Sequence, residues 1–307
     1  MFEIVFLGTS ASAPSIHRGL SAQVVMHNEY RFLIDCGEGT QRQILHSGIG
    51  FKRLDRILIT HGHLDHILGL AGLVSTFTRW ETAESLEIWA GRWALERIRT
   101  LLFEIVLKGA RPPFDLQFHE IKPGRLFEDK SFSVTAFPVQ HRGADSFGFV
   151  FAEKPRRPFL AERAEALGVP AGPIRRELVA GRPVTLPDGR SVAPEDVLGP
   201  VVAGTRLVHV GDCGETADLL EVARGADALV IEATYLEAEA DMAREFGHLT
   251  AARAARLARA AGVGRLFLTH ISRRHRERDV IDEAQAIFPN TAVARDFDQF
   301  KVQRDAA

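Results

Sequence analysis

The sequence predicts an α/β protein, because short β-rich runs alternate with segments of helical periodicity. The first four β-rich runs begin at Phe2, Ser21, Tyr30 and Asp55, and glycine, proline or polar residues bound each of them. Several later runs end beside an acid or a histidine. Because open α/β sheets place ligands at the carboxyl ends of their strands, we expect a functional site at these ends.

The alternation continues along most of the chain. Further β-rich runs begin at Leu116, Phe132, Phe147, Arg206, Ala228 and Arg265. Helical periodicity begins at Gly39, His66, Arg92 and Leu249. One main α/β body spanning residues 1–307 therefore accounts for most of the sequence.

Composition limits what the protein can bind. Hydrophobic residues make up 46% and charged residues 25% of the 307 positions, which is ordinary for a globular protein. The formal net charge of −2 excludes a globally basic nucleic-acid-binding protein, so any contact with RNA must use local patches. The chain has only two cysteines, Cys36 and Cys213, which favours a reducing cytoplasm. No apolar run approaches the roughly 18 residues of a spanning helix, so we expect no membrane insertion.

Basic residues are concentrated in two stretches. The first contains Lys154, Arg156, Arg157, Arg163, Arg175, Arg176 and Arg182. The second contains Arg265, Arg273, Arg274, Arg276 and Arg278. Solvated surface charge is the simpler interpretation of both stretches, and contact with RNA is the alternative.

Residues 154–200 interrupt the alternation of strands and helices. This segment is rich in proline, glycine and arginine, and it contains a Pro-Asp-Gly turn at Pro187. We predict that it is an insertion in the main body. Compact domains seldom keep such long irregular segments without a functional reason.

The strongest chemical signal is the pattern His-x-His-x-Asp-His at residues 61–66, which follows a predicted strand and opens a predicted helix. In an extended turn His61 and His63 project to the same side and can bind one ion, while Asp65 and His66 turn toward a second. Imidazole and carboxylate ligands suit zinc. A site of mixed nitrogen and oxygen ligands also accepts Mn²⁺ or Fe²⁺, so the sequence leaves the metal open.

One motif supplies too few ligands for two ions, so further donors are needed. His141, Asp212 and His270 each stand just after an apolar run, where a strand would end. A lone histidine at a strand end is more often structural. Three such positions beside a strong motif favour the interpretation as ligands.

These residues belong to segments that resemble the metallo-β-lactamase superfamily and, within it, the short form of ribonuclease Z, the tRNA 3′-processing endonuclease. The resemblance spans nearly the whole chain. It rests on GTSASAPSIHR from Gly8, DCGEGTQRQ from Asp35, THGHLDHILGLAGL from Thr60, VQHRGADSFGF from Val139, VGDCG from Val210, IEATY from Ile231, GHLT from Gly247 and LTHISRR from Leu268.

The resemblance implies a four-layer αβ/βα sandwich that binds two Zn²⁺ ions per subunit. His61, His63 and His141 would hold one zinc ion, and Asp65, His66 and His270 the other, with Asp212 bridging both. The family is usually homodimeric. Segment 154–200 resembles its protruding arm, which clasps the tRNA elbow, so Arg175 and Arg176 are candidate substrate-binding residues.

The resemblance also implies the reaction, in which a metal-bound hydroxide attacks the phosphodiester and leaves a 3′-hydroxyl on the tRNA. Asp65 would orient or deprotonate the attacking water. We expect His248, held by Glu232, to serve the leaving oxygen, and Arg273 to add positive charge near the phosphate. The simpler alternatives are that His248 caps a helix and that Arg273 is an ordinary surface arginine.

The chain departs from the family pattern at several positions. The family typically has glycine just before the motif aspartate, whereas here Leu64 precedes Asp65 and the glycine is Gly62. Ile231 and Leu249 stand where histidine and serine are common. These departures leave open the alternative that the protein hydrolyses a smaller substrate, such as a small phosphodiester, a cyclic nucleotide or a sulfate ester. A non-catalytic RNA-binding or zinc-dependent scaffold is a second alternative, which the complete ligand set disfavours.

Overall fold

Seven strands form the first sheet, which carries most of the N-terminal half. The computed structural model describes residues 1–80, 84–143 and 145–304. The strands of this sheet are β1 (Phe2–Gly8), β2 (Ala22–His27), β3 (Tyr30–Ile34), β4 (Arg56–Leu58), β5 (Ser85–Ala90), β6 (Asp115–Glu120) and the C-terminal β16 (Gln299–Val302). Their order is β16-β1-β2-β3-β4-β5-β6. Strands β3 to β6 run parallel, whereas β16, β1, β2 and β3 pair antiparallel.

A second sheet of seven strands follows. Its strands are β7 (Gly124–Glu128), β8 (Phe132–Pro138), β9 (Phe147–Glu153), β12 (Arg206–His209), β13 (Ala228–Glu232), β14 (Arg265–Thr269) and β15 (Thr291–Val293). Their order is β15-β14-β13-β12-β9-β8-β7, and β12 to β15 run parallel. The parallel strands of each sheet end at one edge, which is where the site lies.

Helices of the larger unit cover the outer face of each sheet, and three further helices belong to residues 153–204. The α-helices are α1 (Thr40–His46), α2 (Leu64–Ile67), α3 (Gly69–Trp80), α4 (Arg92–Arg99), α5 (Ala161–Ala166), α6 (Pro173–Val179), α7 (Pro194–Val197), α8 (Leu219–Ala223), α9 (Ala240–Phe246), α10 (Ala251–Ala261) and α11 (Glu277–Gln285). Helix α4 continues as a π-helix over Thr100–Leu107, and a 3₁₀ turn spans Glu237–Glu239.

Successive side chains along the strands point alternately into the core between the two sheets and into the core between a sheet and its helices. The two sheets and their helices therefore enclose three hydrophobic cores. In β1, Ile4 and Phe6 face the core between the two sheets, whereas Val5 and Leu7 face the helices of the first sheet. In β14, Phe267 faces the same central core and Leu268 faces the helices of the second sheet. Because successive strand residues point to opposite faces, the result is the predicted αβ/βα four-layer sandwich.

Residues Glu153–Gly204 form a compact unit of their own, and Met1–Ala152 with Thr205–Ala307 form the other. The smaller unit contains α5, α6, α7 and a hairpin of β10 (Val184–Thr185) and β11 (Ser191–Val192). The predicted Pro-Asp-Gly turn closes this hairpin, with Gly189 at a φ of 83°. Its core consists of small aliphatic side chains, among them Ala164, Leu178 and Val197.

The sequence predicted most strands and missed β5, β7, β15 and β16, as well as the two-residue strands β10 and β11. Strand β7 has only exposed and half-buried residues, and β15 has three residues, so neither shows a clear apolar run. The single helix predicted from Arg92 is divided into α4 and the π-helical segment. Ala144 of the VQHRGADSFGF motif lies outside the described residues. Among the described residues, no helix is both long enough and apolar enough to cross a membrane.

Candidate metal centre

The strand ends of both sheets bring seven histidine and aspartate side chains together. The 61–66 turn follows β4 of the first sheet, and His63 stands at the N-terminus of α2. Asp212 follows β12 of the second sheet, and His270 directly follows β14. His141 follows β8. Residues more than two hundred positions apart therefore meet at one edge.

The first group consists of His61, His63, His141 and Asp212. One possible ligand atom from each lies within 4.8 Å of all the others. His61 Nε2 is 2.8 Å and His141 Nε2 is 3.4 Å from His63 Nδ1. Three imidazole nitrogens converging this closely suit a shared cation.

The second group consists of Asp65, His66 and His270, whose possible ligand atoms also lie within 4.8 Å of one another. His270 Nε2 is 3.5 Å and His66 Nε2 is 3.7 Å from Asp65 Oδ2. Oxygen Oδ2 of Asp212 is 3.4 Å from His270 Nε2 and 3.5 Å from His66 Nε2. The same oxygen is 3.7 Å from His61 Nε2 and 3.9 Å from His141 Nε2, so it adjoins both groups.

The donor set fits a divalent metal ion. His66 Nε2 and His270 Nε2 are buried and have no hydrogen-bond partner among the described residues. Buried polar atoms are nearly always paired, so these two nitrogens need a partner of another kind. Imidazole nitrogens with carboxylate oxygens are the ligands that zinc and related metals take in proteins. The fold and these clusters therefore provide a metal site.

In four of the five histidines, an oxygen atom contacts Nδ1, on the side of the ring that faces away from the cluster. His66 Nδ1 lies 2.8 Å from Asp35 Oδ2, and His141 Nδ1 lies 2.7 Å from the Gly247 carbonyl oxygen. His61 Nδ1 is 3.1 Å from Thr60 Oγ1, and His270 Nδ1 is 2.9 Å from Thr234 Oγ1. Such outer contacts fix the tautomer and leave Nε2 free to bind metal.

Asp35 holds this arrangement together, and the sequence assigned it no role. It is buried and accepts hydrogen bonds from the backbone N–H and the hydroxyl of Thr60 as well as contacting His66. Its φ of 58° and the φ of 56° at His270 lie in the left-handed region. Such strain persists where surrounding contacts impose it, often at functional sites. The position of Asp35 directly after β3 was the signal that could have identified it.

Glu232, which is buried, and His248, which is half-buried, form a pair beside the candidate metal ligands. His248 Nδ1 lies 2.8 Å from Glu232 Oε1 and 3.9 Å from Asp212 Oδ2. Glu232 also accepts hydrogen bonds from the backbone N–H groups of Cys213 and Leu249 and from the hydroxyl of Thr234. The carboxylate is therefore fully satisfied and fixes the imidazole ring.

Burial and charge shift the pKa values of the cluster in opposite directions. Burial lowers the pKa of His63 to about 4 and that of His61 well below its usual value, so both rings are neutral at pH 7. Neutral imidazole is the form that binds metal. Burial opposes the charge on Asp212, yet His270 and His66 hold its pKa well below the usual range. Burial also opposes the charge on His248, but Glu232 raises its pKa to about 9.

The structure gives the three candidate arginines different environments. Arg273 is exposed and lines a cavity of about 580 Å³ together with Ile271, the neighbour of His270. Arg175 donates hydrogen bonds to the carbonyl oxygens of Val169 (3.0 Å) and Pro170 (3.2 Å), so its guanidinium is engaged within the smaller unit. Arg176 is exposed.

Other residues that the sequence raised have structural roles. The buried Cys213 thiol donates to the Glu215 carbonyl oxygen, and burial raises its pKa to about 12. Ile231 and Leu249, two of the departures from the family pattern, are fully buried in the same apolar core. Within the second basic stretch, Arg274 pairs with Glu239, and Arg265 lies over the Phe267 ring.

Comparisons with known proteins agree with the fold and the cluster. A family described as "Anti-Pycsar protein Apyc1" matches residues 2–159, and the "Beta-lactamase superfamily domain" matches residues 174–271. The fold and the histidine and aspartate clusters thus define a metal-binding protein of the metallo-β-lactamase fold.

Relatives that match over nearly their whole length show which family within this class the chain belongs to. The ribonuclease Z of Bradyrhizobium diazoefficiens is 48% identical over 302 residues, covering 98% of this chain and 100% of that protein. The ribonuclease Z of Listeria monocytogenes is 42% identical over 307 residues, covering 98% and 99%. The crystal structure of human tRNase Z, short form, has a TM-score of 0.71 at 27% identity, covering 98% of this chain and 100% of that chain. The chain belongs to the ribonuclease Z family, which confirms the resemblance inferred from the sequence.

Proposed function

We propose that this protein is a zinc-dependent endoribonuclease that cuts the 3′ trailer from precursor tRNA and leaves a 3′-hydroxyl. The observation that carries the proposal is the convergence of seven histidine and aspartate side chains in a chain of the ribonuclease Z family. His61, His63 and His141 would hold one Zn²⁺ ion, and Asp65, His66 and His270 the other. Asp212 Oδ2 would bridge them, because it adjoins both groups.

Two bound divalent ions supply an activated water and positive charge beside the phosphoryl oxygens. The role of Asp65 is to orient the attacking water and accept its proton. Oxygen Oδ2 of Asp65 accepts a hydrogen bond from the Ser12 backbone N–H at 3.0 Å, which fixes the carboxylate. No hydrogen bond among the described residues occupies its Oδ1 atom, so this oxygen is available to a water molecule.

His248 protonates the leaving 3′-oxygen of the tRNA. Its Nδ1 atom is fixed by Glu232, which leaves Nε2 as the donor to the substrate. The ring lies beside the cluster, with its centroid 5.0 Å from that of His141 and 5.4 Å from that of His270. Glu232 keeps the ring charged and oriented, as a carboxylate does in a catalytic triad.

The unit Glu153–Gly204 contributes a tRNA-binding surface, as the sequence predicted for residues 154–200. Arg163 and Arg176 are exposed and form no ion pair among the described residues. Arg182 pairs with Glu177, and Arg190 pairs with Asp188. The unpaired arginines are therefore the best candidates in this unit for phosphate contacts, whereas the structure favours a structural role for Arg175. Arg273 adds positive charge near His270.

We also propose that the enzyme is a cytoplasmic homodimer. Both cysteines are free and buried, which suits a reducing compartment. Large apolar side chains are exposed on the first helical layer, including Leu45 (51%) and Trp80 (57%), and a second subunit would cover such groups. A molar mass in solution of twice 33.9 kDa is the expected result by light scattering.

Zinc-loaded protein should cut a labelled precursor tRNA at a single position, where the 3′ trailer begins. The upstream product should carry a 3′-hydroxyl and the trailer a 5′-phosphate, which sequencing gels and end-group analysis would establish. Asp65→Ala should abolish the cut. A wild-type protein that binds zinc and hydrolyses small phosphodiesters but leaves the tRNA intact would favour the smaller-ester alternative.

His248→Ala should reduce kcat for precursor tRNA by about 10²–10⁴-fold, because the leaving 3′-oxygen loses its proton donor. A nitrophenyl phosphodiester should suffer a much smaller loss, since nitrophenolate leaves without a proton. The measurement is the rate of wild type and variant on both substrates, with the two proteins at equal zinc content. Similar losses on the two substrates would count against a general-acid role.

Arg163→Ala combined with Arg176→Ala should raise KM for precursor tRNA by about tenfold or more, since a lost charge-assisted contact costs about 1.5–3 kcal/mol. Hydrolysis of the nitrophenyl ester should be unchanged. Arg182→Ala with Arg190→Ala removes the same charge from ion-paired positions and serves as the matched control, with a smaller expected change. If the two double variants behave alike, the unpaired arginines do not bind tRNA.

A further inference from the structure

His63 differs from the other four histidines of the candidate metal centre in how it is oriented. The others each have an Nδ1 atom held from behind by an oxygen atom. His63 instead turns Nδ1 toward the cluster, 2.8 Å from His61 Nε2. Among the described residues, nothing accepts a hydrogen bond from its Nε2 atom. His63 thus lacks the outer oxygen contact that the other four histidines have.

Outside the cluster, the His63 ring contacts the ring of Trp93, near the start of α4. The two rings meet edge to face, with centroids 6.0 Å apart and an interplanar angle of 88°. Edge-to-face contacts of this kind are favourable and directional. Trp93 is therefore an aromatic contact of His63 that comes from outside the cluster.

Two further contacts fix Trp93 against the turn that carries His63. The Arg97 guanidinium lies 5.0 Å from the centroid of the Trp93 ring and donates a hydrogen bond to the Gly62 carbonyl oxygen at 2.7 Å. Asp145 Oδ2 accepts a hydrogen bond from the Trp93 backbone N–H at 3.3 Å. Arg97 thus ties the indole ring to the residue that precedes His63.

Gly62 is the residue that allows this approach. A Cβ atom at position 62 would lie 2.9 Å from Cε3 of Trp93 and 3.0 Å from the Ala94 Cα atom, closer than real Cβ atoms normally come. This contact gives a physical reason for the glycine between His61 and His63, which the sequence showed only as a departure from the family pattern. Leu64, the other part of that departure, is 48% exposed.

We propose that Trp93 is a positioning residue that orients His63 for metal binding and so sets the affinity of one metal position, the one formed by His61, His63 and His141. The proposal rests on the metal centre of the proposed function. Outer contacts to metal ligands typically change affinity by about 10–100-fold. Among the described residues, no hydrogen bond or ring contact joins Trp93 to Asp65, His66 or His270, so the second metal position should keep its affinity.

The test is stepwise metal binding by the full-length protein after removal of its metal. Zinc competition against a chromophoric chelator, with Co²⁺ absorption spectra as a second readout, gives the dissociation constant of each step. Trp93→Ala should weaken one step by about 10–100-fold and leave the other within about twofold. The weakened step should be the one that His63→Ala abolishes. Trp93→Phe keeps an aromatic edge and should recover most of the affinity.

Matched controls separate this role from general damage to the fold. Trp89→Ala removes another half-buried tryptophan, whose ring stacks on His119 outside the cluster, and should change neither step. If Trp93→Ala does not fold, Trp93→Leu keeps side-chain bulk without an aromatic edge and should show the same selective loss. Unchanged binding in the Trp93 variants, or equal weakening of both steps, would overturn the proposal. A wild-type protein that binds no zinc would instead refute the metal centre itself.

Discussion

One carboxylate oxygen, Oδ2 of Asp212, is the point on which the site depends. It lies within 3.4–3.9 Å of Nε2 atoms from four histidines, which follow three strands, β4 in one sheet and β8 and β14 in the other. Asp212 is almost fully buried, and burying a charged carboxylate is unfavourable unless cations or hydrogen-bond donors compensate it. The neighbouring imidazoles, and the metal ions that this donor set fits, provide that compensation.

The four-layer sandwich makes this meeting of side chains possible. Parallel strands β3 and β4 in one sheet and β12 to β14 in the other end at the same edge of the molecule's larger unit. The turn after β4 brings four candidate ligands to this edge, and each of the other strands brings one polar side chain. A second layer of contacts then fixes these groups: Asp35 and Glu232 accept three or more hydrogen bonds each from the surrounding turns. These two buried carboxylates orient the imidazoles of His66 and His248.

The sequence identified the candidate ligands that lie in one contiguous motif or directly follow an apolar run. The 61–66 motif, His141, Asp212 and His270 were found in this way, and the structure brings all of them together, although their role as ligands stays a proposal. Asp35 carried the same signal and was given no role. Thr60, Thr234 and the Gly247 carbonyl act through single contacts that depend on the folded chain. In the sequence, Trp93 is one of several apolar positions of a predicted helix. Its contact with His63 depends on the close packing of α4 against Gly62, which only the structure shows.

Metal content of the purified chain tests the central claim most directly. Elemental analysis after zinc loading and gel filtration should give two zinc ions per wild-type chain, because Asp212 joins two ligand groups. Asp212→Ala should retain fewer than one tightly bound ion, while circular dichroism shows that the fold is preserved. A wild-type chain that binds a single ion, or an Asp212→Ala variant that keeps two, would contradict the shared-carboxylate account.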